Sequence, residues 1–479
     1  MRIADRVYGE VDLPPLVAAL ASTPEFLRLD GIRQLGACAM VYPSATHTRR
    51  EHSIGVSHLT GVAGCHLQSM YPKRIDADDI LCLQIAGLMH DLGHGPFSHT
   101  FEEYMGGAWC HEAMSIRMLH HVVAKNVELC TQHFRIYPVE KNVAFICLLI
   151  SGMDDTTPWP TEETGRCEDK RFLTDIVHSR STGIDTDKLD YLCRDALAVF
   201  GATNALCVTR IVSAMRVTER SRLAFSESVA FDLVEIFRLR SKLHRQVYQH
   251  RDVLVAEALI KNMMATYDEQ HVLRGVVDDP AMFARLTDSC IVGSTTTPGA
   301  NLQRPWCRFV PVTISLYTLP LCTSCKSETA FQHKFCTQCG KSTMDRAGDV
   351  RDMHSNCLQA PGCTIRSAEV ASDVSAIAGV AIAVHIVDIA CGTAIEIVDP
   401  HTTKWKDYDP LCNVTFLSKD ERATLRMNPE SFFVPKTRHV RIMHSCLHAS
   451  ATDGDVTKAA SAIRQWAMGG GVEITEEYE

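Results

Sequence analysis

Residues 84–99 read QIAGLMHDLGHGPFSH. An apolar run ends on His90-Asp91, and Gly93, Gly95 and Pro96 then break it, with His94 and His99 close behind. Upstream, Asp76-Ala-Asp-Asp79 precedes ILCLQIAGLMHD, and acidic residues ahead of an apolar run mark a helix start. The stretch therefore predicts a buried helix that carries a polar cluster at its C-terminal end. One histidine there is most simply a partner for orphan carbonyls. Three histidines and an aspartate within ten residues also fit a metal site.

The surrounding pattern is helical. Apolar spacing predicts helices over 15–35, 51–70, 111–125, 140–152, 185–199, 208–217, 228–250 and 252–268. The fold class expected is mainly α over residues 1–290. The texture changes at Gly293-Ser-Thr-Thr-Thr-Pro-Gly299, a loop signal. A loop-rich insert is expected over 291–371 and a smaller α+β C-terminal lobe over 372–468. In that lobe AIAVHIVDIACGTAIEIVD reads as two strands joined near Cys391-Gly-Thr393, and a helix is expected at about 455–467. Residues 469–479 read as a flexible acidic tail.

Composition narrows the class. The chain has 479 residues, 46% of them hydrophobic, so two to three domains with a sizeable core are expected. A net charge of -9 argues against a basic nucleic-acid coat. MRIADRVYGE holds no apolar leader, and Ala376–Ala390, the most apolar late stretch, is too short to span a bilayer comfortably. An intracellular protein, cytoplasmic or nuclear, without a membrane partner is expected. Its twenty cysteines then read as reduced thiols and metal ligands.

Two distant segments complete the cluster. Arg49-Arg50-Glu51-His52 opens one helix, and Gly183-Ile-Asp-Thr-Asp-Lys-Leu-Asp-Tyr191 opens another. The set His52, His90, Asp91 and Asp187 resembles the metal signature of HD-domain phosphohydrolases. TPEFLRLDGIRQLG, EHSIGVSHLTG, QIAGLMHDLGHGPFSH, GIDTDKLDYLCRDA and LHRQVYQH resemble the SAM-and-HD-domain deoxynucleoside triphosphate triphosphohydrolases. The resemblance covers residues 1–290 closely and 372–468 weakly. No counterpart of the SAM domain is read in this sequence.

The resemblance implies an HD-domain helical core that hydrolyses dNTPs at the α-phosphorus, giving deoxynucleoside and inorganic triphosphate. Two imidazoles and two carboxylates suit one divalent transition metal, and the donor set admits Fe, Mn, Zn or Ni, with Mg a further candidate across the phosphates. The resemblance also implies that His99, or its partner, protonates the leaving 5′ oxygen, while His94 and His111 line the phosphates. Glu102 stands where the family usually has aspartate.

Asp187, Tyr191 and Asp195 share one helical face by their i, i+4, i+8 spacing, with Lys188 beside it. That face is alternatively an ordinary solvated acidic one, and Tyr191 alternatively core. Arg240, His244 and Tyr248 repeat the spacing on a second helix, followed by Gln249. By resemblance Lys188, Tyr191 and Arg240 hold phosphates and Arg49 contacts the α-phosphate. Gln34 and Asp195 bind the sugar 3′-OH, Leu35 and Tyr248 crowd the 2′ position, and Gln249 reaches the base.

The chain departs from the family where guanine nucleotide activates it. Ser22, Leu27 and Asp30 stand at the guanine-reading positions, Met1 stands for a lysine, and Ser226 and Ser228 replace an arginine and a lysine, although Arg210 and Arg441 remain. Activation through that site is therefore not expected, and the activator-bridged tetramer loses support. A homo-oligomer, dimer or tetramer, is still expected.

Finally, LCTSCKSETAFQHKFCTQCGK places Cys322, Cys325, Cys336 and Cys339 as two CxxC knuckles, so segment 320–342 resembles a zinc ribbon holding structural zinc. Lys326, Lys334 and Lys341 leave nucleic acid open as a partner. Two other readings compete with the dNTPase: an HD-fold hydrolase of another phosphorylated nucleotide, and a zinc-ribbon nucleic-acid-binding protein with a vestigial HD core. The Lys188, Tyr191, Arg240 and Tyr248 set favours the dNTPase.

Overall fold

The computed structural model describes residues 1–293, except 107–108, 155, 203–204 and 272. Beyond them it describes 308–309, 313–315, 375–376, 383–390, 416–417, 424–425, 439–447, 453–470 and 473–475. The CxxC knuckles and the second run of the expected hairpin lie outside the described residues.

The chain divides into two units, 1–304 with 391–436, and 305–390 with 437–479. The first is mainly helical, as the periodicity predicts. It opens with a hairpin, β1 (Arg2–Asp5) and β2 (Gly9–Asp12), paired from Arg2↔Asp12 to Asp5↔Gly9. Its centre is two packed helices, α1 (Arg49–Met70) and α2 (Ala77–Met89). Both start on reciprocal side-chain caps. Thr48 and Glu51 form one box; in the other, Asp76 accepts from Asp79 N at 3.0 Å while Asp79 accepts from Asp76 N at 3.0 Å. Where the helices cross, Ser57 Oγ donates to Gln84 O at 2.8 Å, and a Cβ at Gly87 would lie 3.0 Å from Ser57 N. Leu59, Ala63, Leu67, Leu83, Ile85 and Leu88 are buried around this crossing.

Around this pair lie α3 (His99–Met105), α4 (His111–Lys125), α5 (Val139–Ser151), α6 (Thr186–Phe200), α7 (Ala230–Leu243) and α8 (Arg251–His271). Three helix expectations need correction. The helix read over 208–217 stops at Ser213, and Met215–Val217 becomes strand β3, paired with β4 (Leu223–Ser226). Met-Arg-Val reads both ways, and β pairing decides. The helix read over 228–250 is also not uniform, because His244–Tyr248 forms a π-helical turn after α7. Likewise 15–35 is two short helices and a 3-10 turn rather than one helix, with Pro24 opening the second. In the same unit β4 pairs in parallel with β8 (Phe416–Leu417), and β8 antiparallel with β9 (Thr424–Leu425).

The described residues of the second unit include a sheet and the helix α9 (Asp453–Gly470). β7 (Ala383–Ala390) runs along β10 (His439–Leu447) from Ala383↔Cys446 to Ala390↔His439. β5 (Arg308–Phe309) and β6 (Thr313–Ser315) also pair with β10. The described partner of β7 is thus a strand far along the chain. Residues 473–475 of the expected flexible tail are also a correction: they form β11, which pairs with β6, because Ile474 belongs to an alternating Glu-Ile-Thr run that an edge strand can take up. Among the described residues no helix is long and apolar enough to cross a membrane.

Candidate metal centre and adjoining pocket

α2 ends at His90 because the chain must turn there. Gly93 allows that turn to press on α4: a Cβ at Gly93 would fall 2.2 Å from His111 O and 2.2 Å from Ser115 N. The turn continues through Phe97 and Ser98, non-glycine residues with φ of 58° and 57°. Such backbone is strained and persists only where neighbours hold it. Here Asp288 Oδ1 accepts from Phe97 N at 2.7 Å, Ser98 Oγ donates to Arg33 O at 2.8 Å, and Arg49 Nε donates to Ser98 Oγ at 2.9 Å.

The four residues of the HD signature converge. His52 Nε2 lies 3.2 Å from His90 Nε2, 3.4 Å from Asp91 Oδ2 and 3.0 Å from Asp187 Oδ1. His90 Nε2 lies 3.5 Å from both Asp91 Oδ1 and Asp187 Oδ1. The outer nitrogens set the tautomers. His90 Nδ1 is 2.8 Å from the Gly87 carbonyl, which can only accept, and His52 Nδ1 is 2.8 Å from Asp190 Oδ2. Both rings therefore carry hydrogen on Nδ1 and, when neutral, turn their Nε2 lone pairs toward each other and toward two carboxylates. His52, His90 and Asp91 bring three donors together in a group that can hold a divalent cation, and Asp187 Oδ1 lies against both imidazoles as a further donor. Asp187 is 28% exposed and opens this point to solvent, whereas His52 and Asp91 are buried.

The electrostatics follow the geometry. Burial alone would lower the His52 imidazole, but Asp187, Asp190 and Asp91 override it and raise it to about 10. Burial likewise works against the Asp91 carboxylate, yet His90 and Arg49 hold it well below its usual range. Arg49, expected on a phosphate, is buried and occupied: Nη1 donates to Asp91 Oδ2 at 2.6 Å and Nη2 to Gln34 O at 3.3 Å. It joins the 34, 91 and 98 segments.

Beside this point stand the expected acid and its neighbours. His94 stacks on His111 with ring centroids 4.0 Å apart, and His99 meets both edge-on at 5.0 and 5.5 Å. Glu102 Oε2 accepts from His111 Nδ1 at 2.8 Å and lies 3.3 Å from His99 Nδ1, so glutamate spans both rings. Burial, with the Arg49 and His111 charges, holds His94 neutral, well below its ordinary value. His99 is the open member of the group, 66% exposed.

α6 supplies the next face. Its N-cap Asp185 accepts from Lys188 N at 2.9 Å and from Lys188 Nζ at 3.0 Å. Tyr191 interacts with Arg240, and Asp195 Oδ2 accepts from Tyr248 OH at 2.6 Å. His244 meets the Tyr248 ring edge-on at 5.0 Å, and burial with the Arg240 and His99 charges lowers it to about 3. Gln34 is buried; Leu35 and Gln249 are half-buried. Gln34 Oε1 is buried without a hydrogen-bond partner.

Sequence reading missed several participants. His47 Nε2 lies 2.8 Å from Asp195 Oδ1, so both oxygens of that carboxylate are held. Asp190, Arg194 and Asp288 also escaped notice. Only Asp190 and Arg194 left a local signal, an i, i+4 ion-pair spacing on α6.

Residues 49–163 match the HD domain family model. The chain is 34% identical to the deoxynucleoside triphosphate triphosphohydrolase SAMHD1 of Gallus gallus over 60% of this chain and 50% of that protein. The human protein of that name is also 34% identical, over 60% of this chain and 49% of its own length. A putative HD domain-containing protein of Acanthamoeba polyphaga mimivirus is 30% identical over 61% of this chain and 64% of its own. The chain spans about half the length of the SAMHD1 proteins of chicken and human. Residues 49–163 thus carry an HD domain, and the chain is similar to these SAMHD1 proteins over 60% of its length.

Proposed function

We propose that this protein hydrolyses deoxynucleoside triphosphates to deoxynucleoside and inorganic triphosphate. One observation carries the reading. A single helix, α6, presents Asp187 to the His52, His90 and Asp91 set, Tyr191 to Arg240, and Asp195 to Tyr248. A nucleotide along that face would meet a metal-binding set, a cation with a phenol, and a hydroxyl-recognising carboxylate in turn.

The chemistry needs water at the α-phosphorus, cleavage of the bond to the 5′ oxygen, and a proton for that oxygen. His52, His90, Asp91 and Asp187 would hold a divalent cation, which would supply Lewis acidity and activate water there. His99, exposed and braced by Glu102, is placed to give the proton. His94 and His111 are stacked beside it and orient the phosphates. Lys188, Tyr191 and Arg240 offer donors to the phosphate chain. Asp195 and Gln34 face the 3′-OH, with Leu35 and Tyr248 against a 2′ substituent and Gln249 toward the base.

The activating guanine site is part of this proposal, as a loss. Asp30 pairs with Arg50 at 3.1 Å, and Arg210 is taken up by Asp232 at 3.3 Å and Ser228 O at 2.8 Å. Turnover independent of GTP follows. The homo-oligomer and the structural zinc at Cys322, Cys325, Cys336 and Cys339 rest on resemblance and spacing alone; sizing and metal analysis test them.

The deciding experiment incubates purified protein with each dNTP, with Mn2+ or Mg2+, with and without GTP, and separates the products. Inorganic triphosphate and deoxynucleoside without GTP are expected. Pyrophosphate or monophosphate release would replace the reaction, and strict GTP dependence would remove the regulatory half.

A further inference from the structure

His52 does not stand alone behind the metal set. Its Nδ1 rests on Asp190 Oδ2 at 2.8 Å. Asp190 is clamped in turn by Arg194, Nε to Oδ2 and Nη2 to Oδ1, each at 2.9 Å. The remaining arm of the guanidinium, Nη1, reaches Asp5 Oδ2 at 2.9 Å. Asp5 ends β1, and its other oxygen accepts from Val7 N at 2.8 Å and Tyr8 N at 2.9 Å, closing the hairpin turn. All four side chains are buried. The row fills its space: a Cβ at Gly55 on α1 would fall 2.0 Å from Asp190 Oδ1 and 2.4 Å from Arg194 Nη2.

We infer that Asp5, through Arg194 and Asp190, is a positioning residue for the metal ligand His52, so that the N-terminal hairpin sets how tightly the centre holds its cation. The inference rests on the metal centre proposed above. The physical argument concerns charge and direction. Asp190 fixes the His52 tautomer and ring plane, and outer partners of this kind change metal affinity about 10–100-fold. A lone Arg194 would neutralise Asp190 and weaken its pull on the His52 N–H. Asp5 shares that guanidinium between two carboxylates, leaving Asp190 the more basic acceptor, and its second oxygen ties the arrangement to the turn at Val7 and Tyr8. A docked hairpin and a basic His52 are thus one arrangement.

The test measures Mn2+ binding to the full chain by calorimetry and by the loss of free-ion EPR signal. Mn2+ prefers oxygen and imidazole donors to thiolates, which keeps the cysteines from dominating the reading. Asp5→Asn is expected to weaken Mn2+ binding about tenfold, with Asp5→Glu recovering most of it. Glu10→Gln, in an exposed pair with Arg2 on the same hairpin, is expected to change nothing. In case Asp5→Asn does not fold, linkage supplies a second reading on the wild-type protein. Mn2+ should slow hydrogen exchange in peptides covering residues 1–12, since coupling is reciprocal. A folded Asp5→Asn with wild-type affinity, or exchange at the hairpin indifferent to Mn2+, overturns the relay. A wild-type chain that binds no Mn2+ overturns the metal centre as well.

Discussion

Arg49 Nη1 meets Asp91 Oδ2 at 2.6 Å with both side chains buried, so an arginine from one helix start secures a carboxylate at another helix's end. Arg49→Ala leaves Asp91 with imidazole neighbours alone and is expected to cost about 1–3 kcal/mol in urea unfolding. Arg49→Lys keeps the charge but cannot reach Asp91, Ser98 and Gln34 O together. It should fold and still lose about 100-fold in kcat, the usual cost of a misplaced group. Near-normal turnover in Arg49→Lys would show that the fork is not needed.

Tyr248 and His47 hold the two oxygens of Asp195. Tyr248→Ala opens the space beside that carboxylate, and the dNTP-to-rNTP ratio of kcat/KM is expected to fall about tenfold or more. His47→Leu frees Asp195 Oδ1 without opening the space, so it should raise KM for dNTPs and leave the ratio near that of the wild type. Equal ratios in wild type and Tyr248→Ala would take sugar discrimination away from this tyrosine.

His99 and His94 have different surroundings and the same expected outcome. Each change to alanine is expected to lower kcat about 100-fold or more. His99→Ala removes the exposed donor, while His94→Ala removes the ring stacked on His111 at 4.0 Å. Steady-state triphosphate release checks both, and wild-type rates in the pair would move the acid elsewhere.

Asp288 gives a pH signature outside the metal set. Burial raises its carboxyl from 3.8 to about 6, despite the N–H groups of Phe97 and Arg33. Between those values the folded chain keeps a proton that the unfolded chain has lost. Its contribution to stability therefore falls as pH rises through that window and levels off above it, a change of about 3 kcal/mol. Asp288→Asn cannot titrate. The wild-type-minus-variant difference in urea stability should drop by about that amount between roughly pH 3.5 and 7, and a flat difference would show an ordinary carboxyl.

Much of the site was legible locally. Asp76 and Asp79 mark where α2 begins, the 93–96 glycines and proline mark where it ends, and His90-Asp91 must then sit at that end. The i, i+4 spacing alone puts Asp187, Tyr191 and Asp195 on one face. The helix over 208–217 and the tail at 473–475 misled because both are short segments whose state depends on a strand partner elsewhere. For Arg49 the sequence shows a cation near the site but not its partner within the fold, Asp91.

The sequence by itself determined the helices, their caps and the donor types brought to the centre, since these depend on spacing and on side chains a few residues apart. Only the tertiary structure decided the pairings. His52 meets Asp190 across 138 residues, His47 meets Asp195 across 148, and Arg194 meets Asp5 across 189. Such pairs carry no local signature. They form where packing brings two buried polar groups together and leaves each without water, so that each must satisfy the other.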